Sequence, residues 1–386
     1  MDPAAETYRY QNRARVRYAR GAMKHSPGLS NLRALSQAGL PAEVFVTAAL
    51  EALHSVVPSY RNLFDWTDDV GNLVRYYFEG PIDHDVASHY FHEFYNRRES
   101  EVMPRFRQAI RASAGIRSAE ELDNPLFFRS ALYNEIWRPQ GLHTRVEALV
   151  RNARGRTLGS LVLYRAPGEP KFTRTEERLF HQATAYLAHG IEEGERAAGV
   201  SNFSTTPARR ELVTVDGHGK LVQLSSDALK LLMLTHGGVT PASVSRRPRR
   251  EDFETINSLW RQHEHSAGQN SGPKVRSVEN AWGRFVFEGV PMSPVHAGDL
   301  PMLHVAVTQF EPQFVSVRKA LNRLPLSTAQ REVCALLYRG DSQAHIAREL
   351  NIATTTVADH VRKIYAKLEI HSVTQLSARI RELAQH

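Results

Sequence analysis

The middle of the N-terminal half holds the side chains that are best suited to binding a metal. Asp83, His84 and Asp85 are adjacent, and His89 and His92 follow three residues apart. Two histidines at this spacing share one face of a helix, and imidazole beside a carboxylate is an ordinary ligand set for zinc. The chain has 18 histidines, so clustering by chance competes with this interpretation. We therefore predict no metal and no cofactor, and keep a metal-dependent enzyme built on these histidines and tethered to DNA as an alternative.

Aromatic side chains recur at regular spacings in the same half. Tyr60, Phe64 and Trp66 fall on one face of a predicted strand, and Tyr133 and Trp137 lie four apart on a predicted helix. Rings at such spacings usually belong to a packed core, but they also line pockets for aromatic or lipophilic molecules. We predict that these five form the walls of an effector pocket, with core packing as the alternative.

Motifs of catalysis are missing from the sequence. It contains no nucleophile elbow, no glycine-rich phosphate loop and no pair of cysteines two residues apart. Asp68 and Asp69 lie in a predicted hairpin turn rather than after a buried strand, which excludes a phospho-acceptor receiver. We therefore predict that the protein is not an enzyme.

A second candidate site lies near the C-terminus, where one predicted helix has an apolar face and a polar face. The apolar positions, spaced four, three and four apart, are Val357, Val361, Ile364 and Leu368. The opposite side carries Thr355, Asp359, Arg362, Lys363 and Ala366. The major groove of DNA admits such a helix, and its N-terminal side chains reach the base edges. We predict a DNA-recognition helix from about Thr354 to Leu368.

The preceding residues predict two further helices of the same small domain. Ser327 and Gln330 form a capping box at the start of the first helix, and Gly340 lies just past its end, where a left-handed residue is needed. Ser342 is placed to cap the second helix. The connection 351–353 is short, so the recognition helix must pack across the second helix.

The run from Leu324 to Leu376 resembles the LuxR-type helix-turn-helix of bacterial transcription regulators. The matching positions are Leu326, Arg331, Glu332, Val333, Gly340, Ser342, Ile346, Ala347, Leu350, Ile352, Thr356, Val357, His360, Val361, Ile364, Lys367 and Leu368. Ala353 stands where the family usually has a capping serine, so we expect Thr354 to take over that cap. Ala358 stands where a lysine is common, and Val373 replaces a frequent arginine.

The resemblance implies that double-stranded DNA is a partner. The predicted contacts are Thr355, Thr356, Ala358, Asp359, Arg362, Lys363 and Lys367. Arg362 suits the O6 and N7 atoms of guanine, and Asp359 suits the N4 amine of cytosine. Lys363 and Lys367 are better placed for phosphate, which gives affinity without sequence information.

A homodimer is expected, because a single copy of this domain would bind DNA weakly at physiological salt. By resemblance, the final helix, from about Val373 to Leu383, is the dimer contact in the DNA-binding domain. RNA polymerase is a further candidate partner. Without a phosphate loop, the large ATP-dependent LuxR-type regulators are excluded. The spacing around Trp66 and Trp137 is not that of the acyl-homoserine-lactone receptors.

Strand and helix patterns ahead of this domain predict two antiparallel sheets flanked by helices. The predicted strands are Tyr60–Trp66, Asn72–Phe78, Thr144–Arg151 and Thr157–Arg165, then Glu211–Val215, Lys220–Leu224, Arg284–Gly289 and Met302–Phe310. The first four, with a helix capped at Thr173, are similar to a GAF-type sensor domain. The others are similar to a PAS-type core, with the polar, proline-rich stretch 243–273 in its middle.

We therefore expect an α+β multidomain chain that ends in an all-α, four-helix LuxR-type domain. The expected divisions are 1–40, a basic N-terminal arm; 41–195, a GAF-like ligand-sensing domain; 205–312, a PAS-like domain; 313–324, a linker in which Val315 to Leu324 suit a connecting helix; and 325–386, the DNA-binding domain. Residues 1–40 carry seven basic side chains against two acidic ones.

Composition agrees with a soluble regulator. The net charge is +8, which favours a polyanionic partner, and no stretch has the length and apolarity of a membrane span. A single cysteine, Cys334, fits the reducing cytoplasm. We predict a cytoplasmic transcription regulator whose small effector binds the GAF-like domain. The alternative is a constitutive regulator whose front domains serve dimerisation or bind a protein partner.

Overall fold

The first domain is built on a five-stranded antiparallel sheet. The computed structural model describes residues 27–103, 116–196, 202–265, 272–296 and 300–384. The strands are β1 (Arg61–Thr67), β2 (Leu73–Phe78), β3 (Ile116–Arg117), β4 (Thr144–Arg151) and β5 (Thr157–Arg165), in the order β2-β1-β5-β4-β3. The sequence predicted β4 and β5 with these bounds, and predicted the β1–β2 hairpin to within one residue at each end.

Long helices cover one face of this sheet and short segments cover the other. The helices are α1 (Pro27–Ser36), α2 (Ala42–Leu53), α3 (His84–His89), α4 (Ala119–Leu122), α5 (Pro125–Arg129) and α6 (Arg174–Glu195), with single helical turns at Tyr90–Phe94, Arg98–Glu101, Leu132–Trp137 and Arg138–Gln140. The predicted capping box of Thr173 and Glu176 begins α6. Gly190 of α6 leaves no room for a Cβ beside the ring of Phe45, so α2 and α6 pack closely.

The second domain repeats this strand order. Its elements are β6 (Arg209–Val215), β7 (Leu221–Leu224), α7 (Ala228–Thr235), α8 (Pro241–Val244), a turn at Arg250–Asp252, α9 (Glu254–His265), β8 (Lys274–Asn280), β9 (Gly283–Met292) and β10 (Met302–Phe310). The sheet order is β7-β6-β10-β9-β8, which is the order of the first sheet. The two antiparallel sheets and their flanking helices confirm the predicted α+β class.

Two elements of the second domain lie in or beside the stretch that the sequence left as a polar middle. Helix α9 buries Ile256, Leu259 and Trp260 on one side, but its other positions are mostly charged or polar. Strand β8 is an edge strand with mostly exposed side chains, so it lacks the alternation that would have revealed it.

The two domains share one continuous core. The ring of Trp282 stacks on Tyr77 with 5.8 Å between ring centroids, and meets Trp66 edge to face at 5.6 Å. Lys230 of α7 donates from its Nζ to the carbonyl oxygens of Phe78 and Gly80. Burial lowers the pKa of this lysine to about 8. The domains are therefore joined by a packed interface.

The N-terminal end of the front region differs from the expected divisions, and its C-terminal end contains the connecting helix that the sequence allowed. Residues 1–26 of the predicted basic arm lie outside the described residues, whereas 27–36 form α1, whose Leu29, Leu32 and Leu35 are buried in the first domain. The predicted linker is a helix, α10 (Gln313–Arg323). It buries Leu321 in the core of the C-terminal domain. No helix within the described residues has the length and apolarity that crossing a bilayer requires.

Candidate DNA-recognition helix and ligand cavity

Four helices follow α10 and form the C-terminal domain. They are α11 (Thr328–Arg339), α12 (Gln343–Leu350), α13 (Thr354–Leu368) and α14 (Val373–Ala384). The capping box of Ser327 and Gln330 is present at the start of α11, and Gly340 ends it with a φ of 96°. The hydroxyl of Ser342 accepts from the backbone N–H of His345. These local features were predicted and are confirmed.

Helix α13 has the predicted bounds, but its start differs from the prediction. Ala353 occupies the cap position, and Thr354 is the first residue inside the helix. The prediction that Thr354 takes over the cap is wrong, because the short connection from α12 places Ala353 in the extended conformation that a cap requires. Packing of Val357, Val361 and Ile364 holds the helix instead, since all three are buried.

All seven predicted DNA contacts are exposed. They are Thr355, Thr356, Ala358, Asp359, Arg362, Lys363 and Lys367. The side chain of Arg362 is 77% exposed, and its Nη2 lies 2.7 Å from an oxygen of Asp359. A pair this exposed contributes little to stability. Breaking it so that both side chains can contact base edges therefore costs little free energy.

Lys367 has a structural contact of its own. Its Nζ donates to the side-chain oxygen of Gln330 at 3.1 Å and lies 3.4 Å from the carbonyl oxygen of Pro325. Lys367 therefore fastens α13 to the start of α11. The other charged residues of the predicted set, Asp359, Arg362 and Lys363, pair only with one another in the part of the chain that the structure describes.

The first domain contains a cavity of about 200 Å³, partly open to the surface, between its sheet and the short segments on the second face. From the sheet, the cavity is lined by Leu63, Asp65, Thr67, Tyr76, Phe78, Arg117, Arg145, Glu147, Ser160, Val162 and Tyr164. From the segments opposite, it is lined by side chains that include Ile82, Val86, Tyr90, Leu132, Ile136 and Trp137. We call it the first-domain cavity.

Of the five aromatics predicted to wall a pocket, Trp137 alone lines the first-domain cavity. Phe64 and Trp66 are buried in the core on the other face of the sheet, because their neighbours Leu63, Asp65 and Thr67 point to the cavity. Tyr133 packs beside the cavity, and its hydroxyl contacts His143. Tyr60 is exposed and lines a separate cleft toward the second domain.

Buried polar groups make this cavity more than an apolar void. Asp65 accepts from the hydroxyl of Ser160 at 3.0 Å, and burial raises the pKa of its carboxyl to about 7. Glu147 pairs with Arg117. Arg145 is 1% exposed, and its Nε and Nη1 have no hydrogen-bond partner among the described residues. The sequence analysis missed these groups, although charges at 145 and 147 inside an otherwise apolar strand were a visible signal.

The titration of Asp65 predicts how the stability of the protein depends on pH. The folded protein keeps the Asp65 proton up to about pH 7, whereas the unfolded chain loses it near its ordinary value of 3.8. Stability should therefore fall by roughly 2–4 kcal/mol as the pH rises from about 4 to 7, and level off above. Asp65→Asn should remove that fall in urea denaturation, while Asp68→Asn, in an exposed turn, should retain it. An unchanged pH profile in Asp65→Asn would contradict the assignment.

The histidines of the metal alternative have separate partners. The Nε2 of His84 contacts the carbonyl oxygen of Arg246 at 2.7 Å, and the Nε2 of His89 contacts Glu135 at 2.7 Å. The Nδ1 of His92 contacts the carbonyl oxygen of Ser88. Across the described ranges, no group of three histidine, cysteine or acidic side chains is arranged to hold a metal ion.

Comparison with known families identifies the C-terminal domain. Residues 324–379 match the family described as bacterial regulatory proteins, luxR family. These residues therefore form a LuxR-type helix-turn-helix, as the sequence predicted.

Comparison with curated proteins finds similarity to two regulators. The putative HTH-type transcriptional regulator YhjB of Escherichia coli K12 is 44% identical over 50 residues, which are 13% of this chain and 25% of YhjB. The HTH-type transcriptional regulator MalT of Vibrio cholerae is 31% identical over 88 residues, which are 19% of this chain and 10% of MalT. The chain spans a quarter or less of the length of these relatives.

Comparison with solved structures finds overlaps of low sequence identity and low TM-score. A VqmA–ligand–DNA complex from Vibrio cholerae is 15% identical, with 46% of this chain and 86% of that chain covered and a TM-score of 0.22. The bacteriophytochrome RpBphP3 of R. palustris is 10% identical, with 72% and 60% covered and a TM-score of 0.28. At these scores, neither structure indicates a function for this chain.

Proposed function

We propose that this chain, which ends in a LuxR-type helix-turn-helix, is a DNA-binding transcription regulator controlled by a small effector in its GAF-like first domain. The observation that carries the proposal is a recognition helix with an open, charged outer side, joined through one helix to a domain that contains a cavity with both apolar and charged lining residues. The regulator acts as a homodimer, because two half-sites multiply the weak affinity of one domain.

A direct path connects the cavity domain to the DNA-binding domain. Arg318 of α10 donates to the side-chain oxygen of Asn31 in α1 at 3.1 Å, and to Glu332 of α11 at 2.9 Å. We call these three residues the Arg318 junction. One residue later, Lys319 pairs with Glu51 of α2 at 2.8 Å. A change in the packing of α1 and α2 would thus reach the recognition domain through α10.

A cavity-filling substitution tests the proposed control without knowledge of the effector. Val162→Phe adds a ring to the buried wall of the first-domain cavity. We expect it to change the affinity for an operator fragment, selected from random DNA by the full-length protein, by about 5- to 150-fold, the usual range of coupling between sites. Gel shifts measure the affinity, and Val74→Phe, at an exposed position of β2, is the matched control.

Equal operator affinities for Val162→Phe, Val74→Phe and the parent would favour the constitutive alternative instead. In that regulator, the Arg318 junction would only hold the DNA-binding domain in a fixed orientation. Failure to enrich any DNA sequence would contradict the regulator proposal as a whole. The homodimer is tested by sedimentation at the protein concentrations of the gel shift. We expect a mass twice that of one chain.

A further inference from the structure

Arg145 lies in the wall of the first-domain cavity with unused hydrogen-bonding capacity. Its guanidinium carbon lies 4.2 Å from the ring centroid of Trp137 and 4.6 Å from that of Phe127. Its Nη2 has only a weak contact, with the sulfur of Met103 at 3.8 Å. Its Nε and Nη1 have no partner in the described parts of the chain. The side edge of the guanidinium, the fork that matches the two oxygens of a carboxylate, is formed by Nε and Nη2, so one of its nitrogens has no partner and the other has only the weak sulfur contact.

The charge of Arg145 is also incompletely compensated. Burial lowers the pKa of its guanidinium to about 10, so the group remains cationic at neutral pH. The nearest acid on its strand, Glu147, is paired with Arg117. Asp123 accepts from the hydroxyl of Thr144. A buried cation without a direct anionic partner is costly to the folded protein, and an anionic ligand would offset that cost.

The rest of the cavity limits the size and charge of such a ligand. Its volume is about 200 Å³, somewhat larger than the engineered cavity of roughly 150 Å³ that holds benzene. Glu99 and Glu147 also line it, and these acidic side chains disfavour a second negative charge on the ligand. Tyr164 lies directly across the sheet from Arg145, so its hydroxyl is placed beside the same end of the cavity.

We propose that the effector is a small monocarboxylic acid, at most about the size of a single aromatic ring with a short tail. Its carboxylate binds the Nε and Nη2 edge of Arg145 in place of the weak contact with the sulfur of Met103, and its apolar body lies against Trp137, Val162 and Ile136. This inference rests on the proposed function, because it takes the first-domain cavity as the effector site. It specifies the chemical class of the effector, since a neutral lipophilic molecule would leave the charge of Arg145 without an anionic partner.

Matched acid and amide pairs test the chemical class. The probes are benzoate, phenylacetate and 3-phenylpropanoate, each compared with its primary amide. Acetate and acetamide form a fourth pair, which is small enough that the shape of the cavity does not exclude it. Binding to the full-length protein is measured by thermal shift and calorimetry at constant ionic strength. We expect at least one acid to bind ten-fold or more tightly than its amide. Arg145→Gln should lose that preference, while Arg151→Gln, at the end of the same strand, should keep it.

Two further variants keep the test decisive if Arg145→Gln does not fold. Arg145→Lys keeps the charge without the planar fork and should weaken the preference for acids, and Tyr164→Phe should weaken it while leaving the fold intact. The inference is overturned if no acid stabilises the parent protein more than its amide does, or if the preference survives in Arg145→Gln. In either case, an effect of Val162→Phe or of a neutral compound on operator affinity would still support the proposed function.

Discussion

Arg362→Ala is expected to abolish specific retention of the selected operator in a gel shift. Each bidentate pairing of an arginine with guanine contributes about 1–3 kcal/mol of discrimination, and a dimer makes the contact twice. The loss is then about 2–6 kcal/mol, or roughly 30-fold to 10⁴-fold in affinity. Retention of unrelated DNA at low salt should remain, because phosphate contacts supply it.

The position of Arg362 allows its effect on DNA binding to be separated from an effect on folding. The side chain of Arg362 is 77% exposed, and its one ion pair within the described ranges is with Asp359 on its own helix, so its removal should leave the melting temperature unchanged. Arg174→Ala, which removes an exposed arginine of α6 in the first domain, is the matched control for net charge. Lys363→Ala should weaken binding to all DNA sequences about equally. It should also reduce the salt dependence of binding by about the amount that one phosphate contact contributes. Unchanged operator retention in Arg362→Ala would contradict the assignment of α13 to the groove.

Arg318→Met is expected to separate the DNA-binding domain from the front domains. Arg318 is 4% exposed, and methionine fills a similar space without the three donor nitrogens of the guanidinium. Hydrogen bonds to a charged group contribute about 1.5–3 kcal/mol each, and the variant would remove those that join Asn31 of α1 and Glu332 of α11 to α10. Calorimetry should then show two unfolding transitions where the parent shows one.

The same variant should weaken the control of operator affinity. We expect the effect of Val162→Phe on DNA binding to shrink when Arg318→Met is also present, because the hydrogen bond between α1 and α10 is gone while the pair of Lys319 and Glu51 remains. Arg323→Met, an exposed position of the same helix, is the control. A single unfolding transition together with an undiminished effect of Val162→Phe would show that coupling does not use the Arg318 junction.

The sequence specified the DNA-recognition side because helical phase ties every position to a buried one. Once Val357, Val361 and Ile364 were assigned to the core, Asp359 and Arg362 had to face outward. Capping residues such as Ser327 and Gly340 then set the ends of the helices, since each has one physical role at that place.

The cavity could not be predicted in the same way, because both faces of the first sheet are covered by protein. Alternation along β1 separates Phe64 and Trp66 from Leu63 and Asp65, but it does not say which set meets the core and which meets a void. That choice depends on α3, on the turn at Leu132–Trp137 and on Trp282 of the second domain. None of these contacts is local in sequence.

The placement of its tryptophans gives the protein internal optical reporters. The chain has four, and Trp137 forms part of the cavity wall. Occupation of the cavity should therefore quench or shift its emission without any added label. Trp66 and Trp282 face each other across the interface of the front domains, so loosening of that interface should change the emission of a different pair. Single Trp→Phe variants would let ligand entry and domain movement be timed separately in one stopped-flow trace.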